Sequence, residues 1–234
     1  MARGLEEEGV LLEAIGRGEY CCLRHGLPYV RVSMLVSQLV CERRLDLDLR
    51  EGLVEVKARE LLKLLRPLMD SRRRLLSCSG RRLVVSLPLA AVVEGVPVVG
   101  RPDALLVDDC RVSAVIRVKE SGRFSRLDEA RLRLYGLLLD YSPLPRSSVL
   151  RLVQVYGDRE CIAEAVLRAR ESGVEALRGL RGCRASILVY DRGSALSLFS
   201  RLAGYWLGAR DAVPRPGWPC RECRWRGVCG AGGV

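Results

Sequence analysis

The sequence predicts an α/β fold with a mixed central sheet flanked by helices. Residues 82–119 are rich in Val and Leu and contain the turn signal Glu94-Gly95, which indicates antiparallel strands. In the second half of the chain, strand-like and helix-like segments alternate, as expected for helices packed on a sheet. Hydrophobic residues make up 49% of the 234 residues, which is sufficient for one well-packed domain.

The individual elements follow from apolar periodicity and strand-forming composition. Ser33 and Ser125 are expected N-caps, and helical spacing predicts helices over 5–16, 33–49, 53–69, 125–140, 159–171 and 194–209. Strands are predicted over 82–93, 96–107, 111–119, 149–156 and 185–190. The first three strands are expected to form an antiparallel meander, with an interruption of the second at Gly100. We expect one integrated domain with three regions: a helical region 1–80, a core 81–212 and a cysteine-bearing tail 213–234.

The formal net charge of +11 indicates a polyanionic partner, chiefly nucleic acid. Arginine supplies most of this charge, because the only lysines are Lys57, Lys63 and Lys119. The chain has no Asn or Thr, and its only glutamines are Gln38 and Gln154, a composition that favours a thermophile with a GC-rich genome. No apolar run is long enough to span a bilayer. The N-terminus has no apolar signal core, so we expect a cytoplasmic protein.

One segment carries the pattern of a metal-dependent DNA nuclease with one departure. Such a site has an Asp at the end of one strand and acidic-x-Lys on the next, because carboxylates hold the cation that activates water. Asp103 supplies the first part, but Arg117-Val118-Lys119 places an arginine where the second carboxylate is expected. Arg117 and Lys119 lie two apart on a strand and should face the same side. We therefore expect Arg117 to pair with Asp103 and to weaken metal binding there.

Seven of the ten cysteines fall into two groups. Cys78, Cys110, Cys161 and Cys183 are isolated and are expected to be buried or incidental, with disulfides among them allowed in a hyperthermophile. The C-terminal cysteines, in contrast, form a CxxC followed by a third cysteine: Cys220, Cys223 and Cys229. Trp218 and Trp225 flank the CxxC, and arginines lie among the cysteines. The arginines lower thiol pKa values and so favour the thiolates that metals require.

Three ligands are too few for a closed metal site, so a fourth is expected elsewhere in the chain. Cys41, on the predicted helix 33–49, is the first choice. Cys21 and Cys22 are alternatives, and His25 is a weaker one. Four cysteines suit zinc or an iron–sulfur cluster equally.

Taken together, these residues resemble the CRISPR-associated exonuclease family, the iron–sulfur members of the RecB-like PD-(D/E)xK nucleases. The motifs follow the family's order over most of the chain: Cys41-Glu42-Arg43-Arg44 on an early helix, the strand end Gly100–Asp103, the Lys119 strand, and the closing Cys220, Cys223 and Cys229. Between the last two, the family's Gln-x-x-x-Tyr helix corresponds to Arg131-Leu132-Arg133-Leu134-Tyr135.

The resemblance implies a PD-(D/E)xK restriction-endonuclease-like core with an iron–sulfur module formed by an N-terminal helix and the C-terminal tail. It implies a [4Fe-4S] cluster bound by Cys41, Cys220, Cys223 and Cys229. It also implies a catalytic pocket at the positions of Asp103, Arg117, Lys119, Arg131 and Tyr135, with Mg²⁺ or Mn²⁺ at Asp103. The implied role is at DNA ends during spacer acquisition in archaeal or bacterial antiviral defence. Its partners would be single-stranded DNA, other CRISPR adaptation proteins and further copies of the chain.

Three departures from the family pattern fall in this one pocket. Arg117 replaces an acid, Arg131 replaces the glutamine, and residues 51–56 lack the family's metal-binding histidine, with only Glu55 as a substitute. Arginines supply fixed positive charge that can hold phosphate without a metal. We therefore expect a DNA-binding iron–sulfur protein that is weak or inactive as a nuclease. An active metal-dependent single-stranded DNA exonuclease and a zinc-stabilised nucleic-acid-binding protein are the alternatives.

Overall fold

The computed structural model describes residues 13–17, 23–57, 79–120, 123–142 and 144–230, and it has the predicted α/β architecture. The longer helices are α1 Val32–Val40, α2 Glu42–Arg50, α3 Arg126–Tyr141, α4 Arg159–Ser172 and α5 Arg192–Trp206. The strands are β1 Val30–Arg31, β2 Arg81–Val85, β3 Leu89–Val93, β4 Val96–Gly100, β5 Ala104–Asp108, β6 Arg111–Lys119, β7 Arg146–Tyr156 and β8 Arg184–Val189. Short 3-10 turns lie at Arg24–Gly26, Val174–Leu177 and Trp218–Cys220.

The strands form two mixed sheets. The larger has the order β2-β5-β6-β7-β8, in which β6 and β7 are parallel and the other neighbours are antiparallel. The smaller has the order β1-β4-β3, in which β1 is parallel to β4 and β3 is antiparallel to it. The region 1–80, predicted to be helical, thus also contributes a strand.

The two long strands predicted over 82–93 and 96–107 are each broken into two strands that belong to different sheets. The turn at Glu94-Gly95 is confirmed as the β3–β4 hairpin, and β5 pairs with β6 as expected, but the single meander is wrong. Prolines cause the breaks, since Pro88 and Pro102 have no N–H to donate to a ladder. The two breaks lie side by side, because Ser86 N, after β2, donates to the Asp103 carbonyl, before β5, at 2.9 Å. This break places Asp103 directly before β5.

The predicted helix 33–49 is interrupted at Cys41, whose backbone is extended (φ −163°, ψ 113°). The first half begins after Arg31 as the N-cap, so the expectation that Ser33 caps it is wrong. Of the predicted helix 53–69, residues 53–57 are not helical and the remainder lies outside the described residues. Of the helix predicted over 5–16, the described residues 13–16 are helical.

The remaining elements occur where the sequence predicts them, with shifted ends. Ser125 caps α3, because its side chain accepts a hydrogen bond from Asp128 N. β7 begins three residues earlier than predicted, and α5 ends three residues earlier. Among the described residues, no helix has both the length and the apolar character needed to cross a membrane.

Two apolar clusters lie on opposite faces of the larger sheet. One joins α1, α3, α5 and the smaller sheet to a face of the larger sheet that includes Leu105, Val115 and Leu152. The other lies beneath α4 and includes Leu106, Ile116 and Val153. A disulfide joins Cys161 at the start of α4 to Cys183, so this pair is structural rather than incidental.

Candidate functional site

The predicted pocket residues share the face of the larger sheet that meets α3. Side chains alternate between the faces of a strand. Leu105 and Val115 point into the cluster that contains α3, so Asp103, Arg117 and Lys119 lie on the same side by alternation. The start of α3 brings Asp128 and Arg131 to these strand ends. We call Asp103, Arg117, Lys119, Asp128 and Arg131 the strand-end cluster.

Arg117 pairs with Asp128 and not with Asp103, which corrects the expected pairing. Arg117 Nε lies 3.3 Å from Asp128 Oδ1, and Lys119 Nζ lies 3.4 Å from Asp128 Oδ2. The Ser125 hydroxyl also donates to Asp128 Oδ2, at 2.6 Å. Both carboxylate oxygens of Asp128 are therefore engaged by cations or a hydroxyl.

The environment of Asp128 keeps its side chain ionised. Burial raises the pKa of this carboxyl, since only 8% of the side chain is exposed. The hydrogen bond from Ser125 and the charges of Lys119 and Arg117 outweigh burial and hold the pKa below its ordinary value. The position of Asp128 in the first turn of α3 also favours a negative charge.

Asp103 has a structural partner of its own. Its Oδ2 accepts a hydrogen bond from the backbone N–H of Val118 at 2.8 Å. The β5–β6 ladder ends at the pair Ala104–Ile116, so the carboxylate takes the place of a backbone carbonyl beyond the ladder. Asp103 thereby fixes the end of β6 that carries Arg117 and Lys119.

Arg131 is the least satisfied cation of the cluster. Its Nε is buried and has no hydrogen-bond partner in the described part of the chain. Burial lowers the pKa of this guanidinium, and the nearby charge of Arg117 lowers it further. The two arginines thus repel each other within a partly desolvated space.

The Tyr135 hydroxyl binds the backbone between β4 and β5, so it is not a free group in the strand-end cluster. Its hydroxyl donates to the Arg101 carbonyl at 3.0 Å. A Cβ at Gly100 would lie 2.7 Å from Tyr135 Cε1, so a glycine is needed there for α3 to approach β4. Burial raises the pKa of Tyr135, which keeps the hydroxyl protonated.

Gln154 and Tyr156 on β7 extend the same face, and the sequence analysis did not identify either as a site residue. Gln154 is the register partner of Arg117 and is fully buried, yet both its amide atoms lack hydrogen-bond partners among the described residues. The Tyr156 hydroxyl faces the Ser125 backbone without a hydrogen bond of good geometry. Burial and the charge of Asp128 raise the Tyr156 pKa to about 12.

Glu55, the possible substitute for the missing histidine, and two acids near the ends of β6 are engaged elsewhere. Glu120 pairs with Arg159 at 3.1 Å on an exposed surface. Asp108 bonds to Arg81 and Ser113, and Glu55 lies 2.7 Å from Lys57. The sequence missed Asp128 because its role depends on a contact between a strand and a helix. Its one local signal was its place three residues after the N-cap, where an acid is favoured.

The four cysteines predicted as cluster ligands line one cavity. Cys41, at the break between α1 and α2, shares it with the three tail residues Cys220, Cys223 and Cys229, and none of them is in a disulfide. The cavity contains about 330 Å³ of empty space, part of it open to solvent. Among the described residues, no three Cys, His, Asp or Glu side chains converge as they would around a single metal ion.

The lining of this cavity suits an anionic four-thiolate group. Pro214, Pro216 and Trp225 supply apolar walls, and Arg44, Arg215 and Arg226 supply positive charge. Apolar walls exclude water from a cluster, and nearby cations offset the charge of its thiolates. The residues present therefore fit a four-cysteine iron–sulfur cluster.

Polar contacts attach the tail to α1 and α2. Trp225 Nε1 donates to Asp48 at 2.8 Å, and Arg215 Nη1 donates to the Leu39 carbonyl at 2.7 Å. Nearer the core, the carboxylate of Glu42 accepts from Val213 N at 2.8 Å and pairs with Arg210. The cysteine motif is thereby brought to Cys41.

Of the alternative ligands, His25 does not line this cavity. His25 Nε2 lies 3.0 Å from the Tyr205 hydroxyl and 3.1 Å from the fully buried Asp46. Burial lowers the pKa of His25, although Asp46 opposes this shift. His25 is thus a core partner of Asp46, while Cys21 and Cys22 lie outside the described residues.

Comparisons with known proteins show a likeness in structure and none in sequence. No family model matches the chain, and no curated protein matches it in sequence. The crystal structure of SSO0001 aligns with it at a TM-score of 0.44 and 16% identity, over 88% of this chain and 87% of that one.

Proposed function

We propose that the protein is a DNA-binding iron–sulfur protein that resembles the CRISPR-associated exonucleases and is weak or inactive as a nuclease. The observation that carries this proposal is Arg131, a partly buried guanidinium beside Arg117 whose Nε has no acceptor among the described residues. An anion relieves this repulsion and supplies the missing acceptor, and phosphate matches the guanidinium fork.

The strand-end cluster fits a phosphate better than a divalent cation. Asp128 is neutralised by Arg117 and Lys119, and Asp103 accepts from Val118 N. A cation at Asp103 would also meet the charge of Arg131. With three cationic side chains and two carboxylates, the cluster is net positive, so we derive no metal-dependent step from it.

A test of this proposal combines binding and cleavage. The protein is purified anaerobically and incubated with end-labelled single-stranded DNA and Mg²⁺ or Mn²⁺. We expect binding without cleavage, and Arg131→Gln should weaken binding roughly 10- to 100-fold, the equivalent of one charge-assisted hydrogen bond. Arg133→Gln, two residues further along α3 and paired with Glu129, is the matched control.

Asp128 gives one specific reason to keep the exonuclease as a second candidate. It places a second carboxylate beside Lys119, although on α3 rather than on the strand. Metal-dependent cleavage that disappears in both Asp103→Ala and Asp128→Ala would establish the exonuclease and refute the binding-only function. Gain of cleavage in Arg117→Glu with Arg131→Gln would instead show that the two arginines silence the pocket.

The proposed cofactor is a [4Fe-4S] cluster held by Cys41, Cys220, Cys223 and Cys229, with zinc as the alternative. When bound, the cluster would cross-link the tail to the junction of α1 and α2. Iron, sulfide and zinc are measured on the anaerobic protein together with its visible absorption, because zinc is colourless. We expect iron and sulfide, and their loss in Cys220→Ser. Full retention in that variant would show that the ligand set is wrong.

A further inference from the structure

A groove lies beside the first turns of α3, next to the strand-end cluster. It forms where the end of α1, the first turns of α3, α5 and the tail meet, and it holds about 1270 Å³ of empty space, part of it open to solvent. Leucine side chains cover much of its floor, among them Leu127, Leu198 and Leu202. Four arginines surround this floor: Arg126, Arg201, Arg210 and Arg215. We call it the arginine groove.

The charge of the groove is unbalanced. Among its described lining residues the one acid is Glu42, which forms two hydrogen bonds with Arg210 and is almost completely buried. Arg126 and Arg201 are exposed, and no described residue pairs with either side chain. Arg215 gives one nitrogen to the Leu39 carbonyl. The rim thus presents surplus cations over an apolar floor.

We propose that the arginine groove binds a segment of single-stranded nucleic acid. This inference rests on the proposed DNA-binding function and adds a second contact surface for the strand, outside the strand-end cluster. Phosphates match the unpaired arginines, and unstacked bases have flat apolar faces that cover leucines. In duplex DNA the base faces are stacked on one another, so they are not available to cover the leucines of the groove floor.

The groove is next to the strand-end cluster along α3. Arg126 and Leu127 line the groove, and the following residue, Asp128, pairs with Arg117 and Lys119. A strand whose phosphate is held by Arg131 can therefore continue around the start of α3. The tail supplies Val213 and Arg215 to the groove, so docking of the tail completes the surface.

The test uses the full-length, cluster-loaded protein and a double variant, Arg126→Gln with Arg201→Gln. Its matched control is Arg170→Gln with Arg181→Gln, which removes the same charge from exposed residues on and after α4. The probes are fluorescent oligothymidylate, an abasic strand of equal length and a blunt duplex, titrated over a range of salt concentrations. For the single strand, a plot of the logarithm of the binding constant against the logarithm of salt concentration has a negative slope. In the groove variant the magnitude of this slope should decrease by about 1.4, or roughly 0.7 per lost phosphate contact.

The outcomes separate this inference from the proposed function. A groove variant that binds oligothymidylate like its control overturns the inference, whatever Arg131→Gln does. Equal affinity of the wild type for the abasic strand, or an equal loss for the duplex, overturns the role of the leucine floor. Loss only in the groove variant supports the groove, even if Arg131→Gln has no effect and the strand-end proposal fails. If a poly-glutamate peptide competes as strongly as the oligonucleotide, the groove is a protein-binding surface and the assignment is wrong.

Discussion

The strand-end cluster and the cysteine tail are both polar regions, but they are held in place by different means. The cluster stands on strands and a helix whose neighbouring side chains, such as Leu105, Val115 and Leu132, are completely buried. In the tail, none of the side chains described between residues 213 and 230 is buried. The tail depends on a few polar contacts to α1 and α2 and on its four-cysteine cavity. Core stability and tail order should therefore respond to different substitutions.

The largest effect is expected at Glu42, where the tail meets the core. Glu42→Ala removes the partner of the Arg210 side chain and the acceptor of Val213 N. The Arg210 side chain is 37% exposed, so the charge left behind is only partly buried, and the free energy of unfolding should fall by about 3–4 kcal/mol, toward the lower end for a buried pair. Urea denaturation measures the change.

The control for Glu42 is Glu164→Ala, which breaks an exposed pair with Arg168 on α4. A surface pair of this kind contributes about 0–1 kcal/mol. Equal losses in the two variants would show that Glu42 does not connect the tail to the core as described.

Two cysteine substitutions should distinguish the stability of the core from the order of the tail. Cys183→Ser opens the disulfide to Cys161 and should lower the free energy of unfolding by about 3 kcal/mol, the cost expected for a loop of this length. Cys220→Ser should change global stability by less than about 1 kcal/mol, but it should loosen the tail so that trypsin cleaves faster at the tail arginines. Urea denaturation and timed trypsin digestion measure the two effects. Equal global losses would mean that core and tail unfold as one unit.

Asp128→Asn tests the strand-end cluster alone. The change removes the charge that Arg117 and Lys119 share, so we expect a loss of roughly 1–3 kcal/mol in stability. Single-stranded DNA should bind more tightly, because the cluster gains net positive charge. Denaturation and DNA titration are measured on the same preparation, with Glu129→Gln as the control. Weaker DNA binding by a folded Asp128→Asn protein would contradict the phosphate assignment.

The sequence predicted those parts of the fold that depend on local pattern. Ser125 caps a helix, Glu94-Gly95 turns a hairpin and Cys220, Cys223 and Cys229 form one compact motif, and each depends on residues that are close in the chain. The break between β4 and β5 was predicted near Gly100, where β4 ends. The break between β2 and β3 has a local signal in Pro88, but the hydrophobic composition of 82–93 favoured one uninterrupted strand.

The contacts that the sequence did not predict join distant elements. Arg117 was assigned to Asp103 because both belong to adjacent strands, whereas the docking of α3 brings Asp128 closer. Periodicity continued the helix through Cys41, where the extended backbone separates α1 from α2. The arginine groove needs residues from four separate segments, so no single stretch of sequence indicated it.

The smallest expected effect is a loss of stability in acid to which both regions contribute. Burial raises the pKa of Glu42, but hydrogen bonds from Arg210, Val213 and Gln38 outweigh it and hold the pKa below the ordinary value of 4.5. The pKa of Asp128 is likewise held below its ordinary value of 3.8. The unfolded chain therefore takes up these two protons first as the pH falls. The stabilisation is complete above about pH 4.5 and is lost as the pH falls through the lower folded-state values.

Urea denaturation at pH 7, 5, 4 and 3 measures this dependence in the wild type, Glu42→Gln and Asp128→Asn. Each variant should lose less stability between pH 5 and pH 3 than the wild type, since it lacks one carboxylate that must be protonated. Glu164→Gln, at an exposed position, controls for the loss of a carboxylate as such. Parallel curves for all four proteins would mean that neither Glu42 nor Asp128 is stabilised in its ionised form by the partners named above.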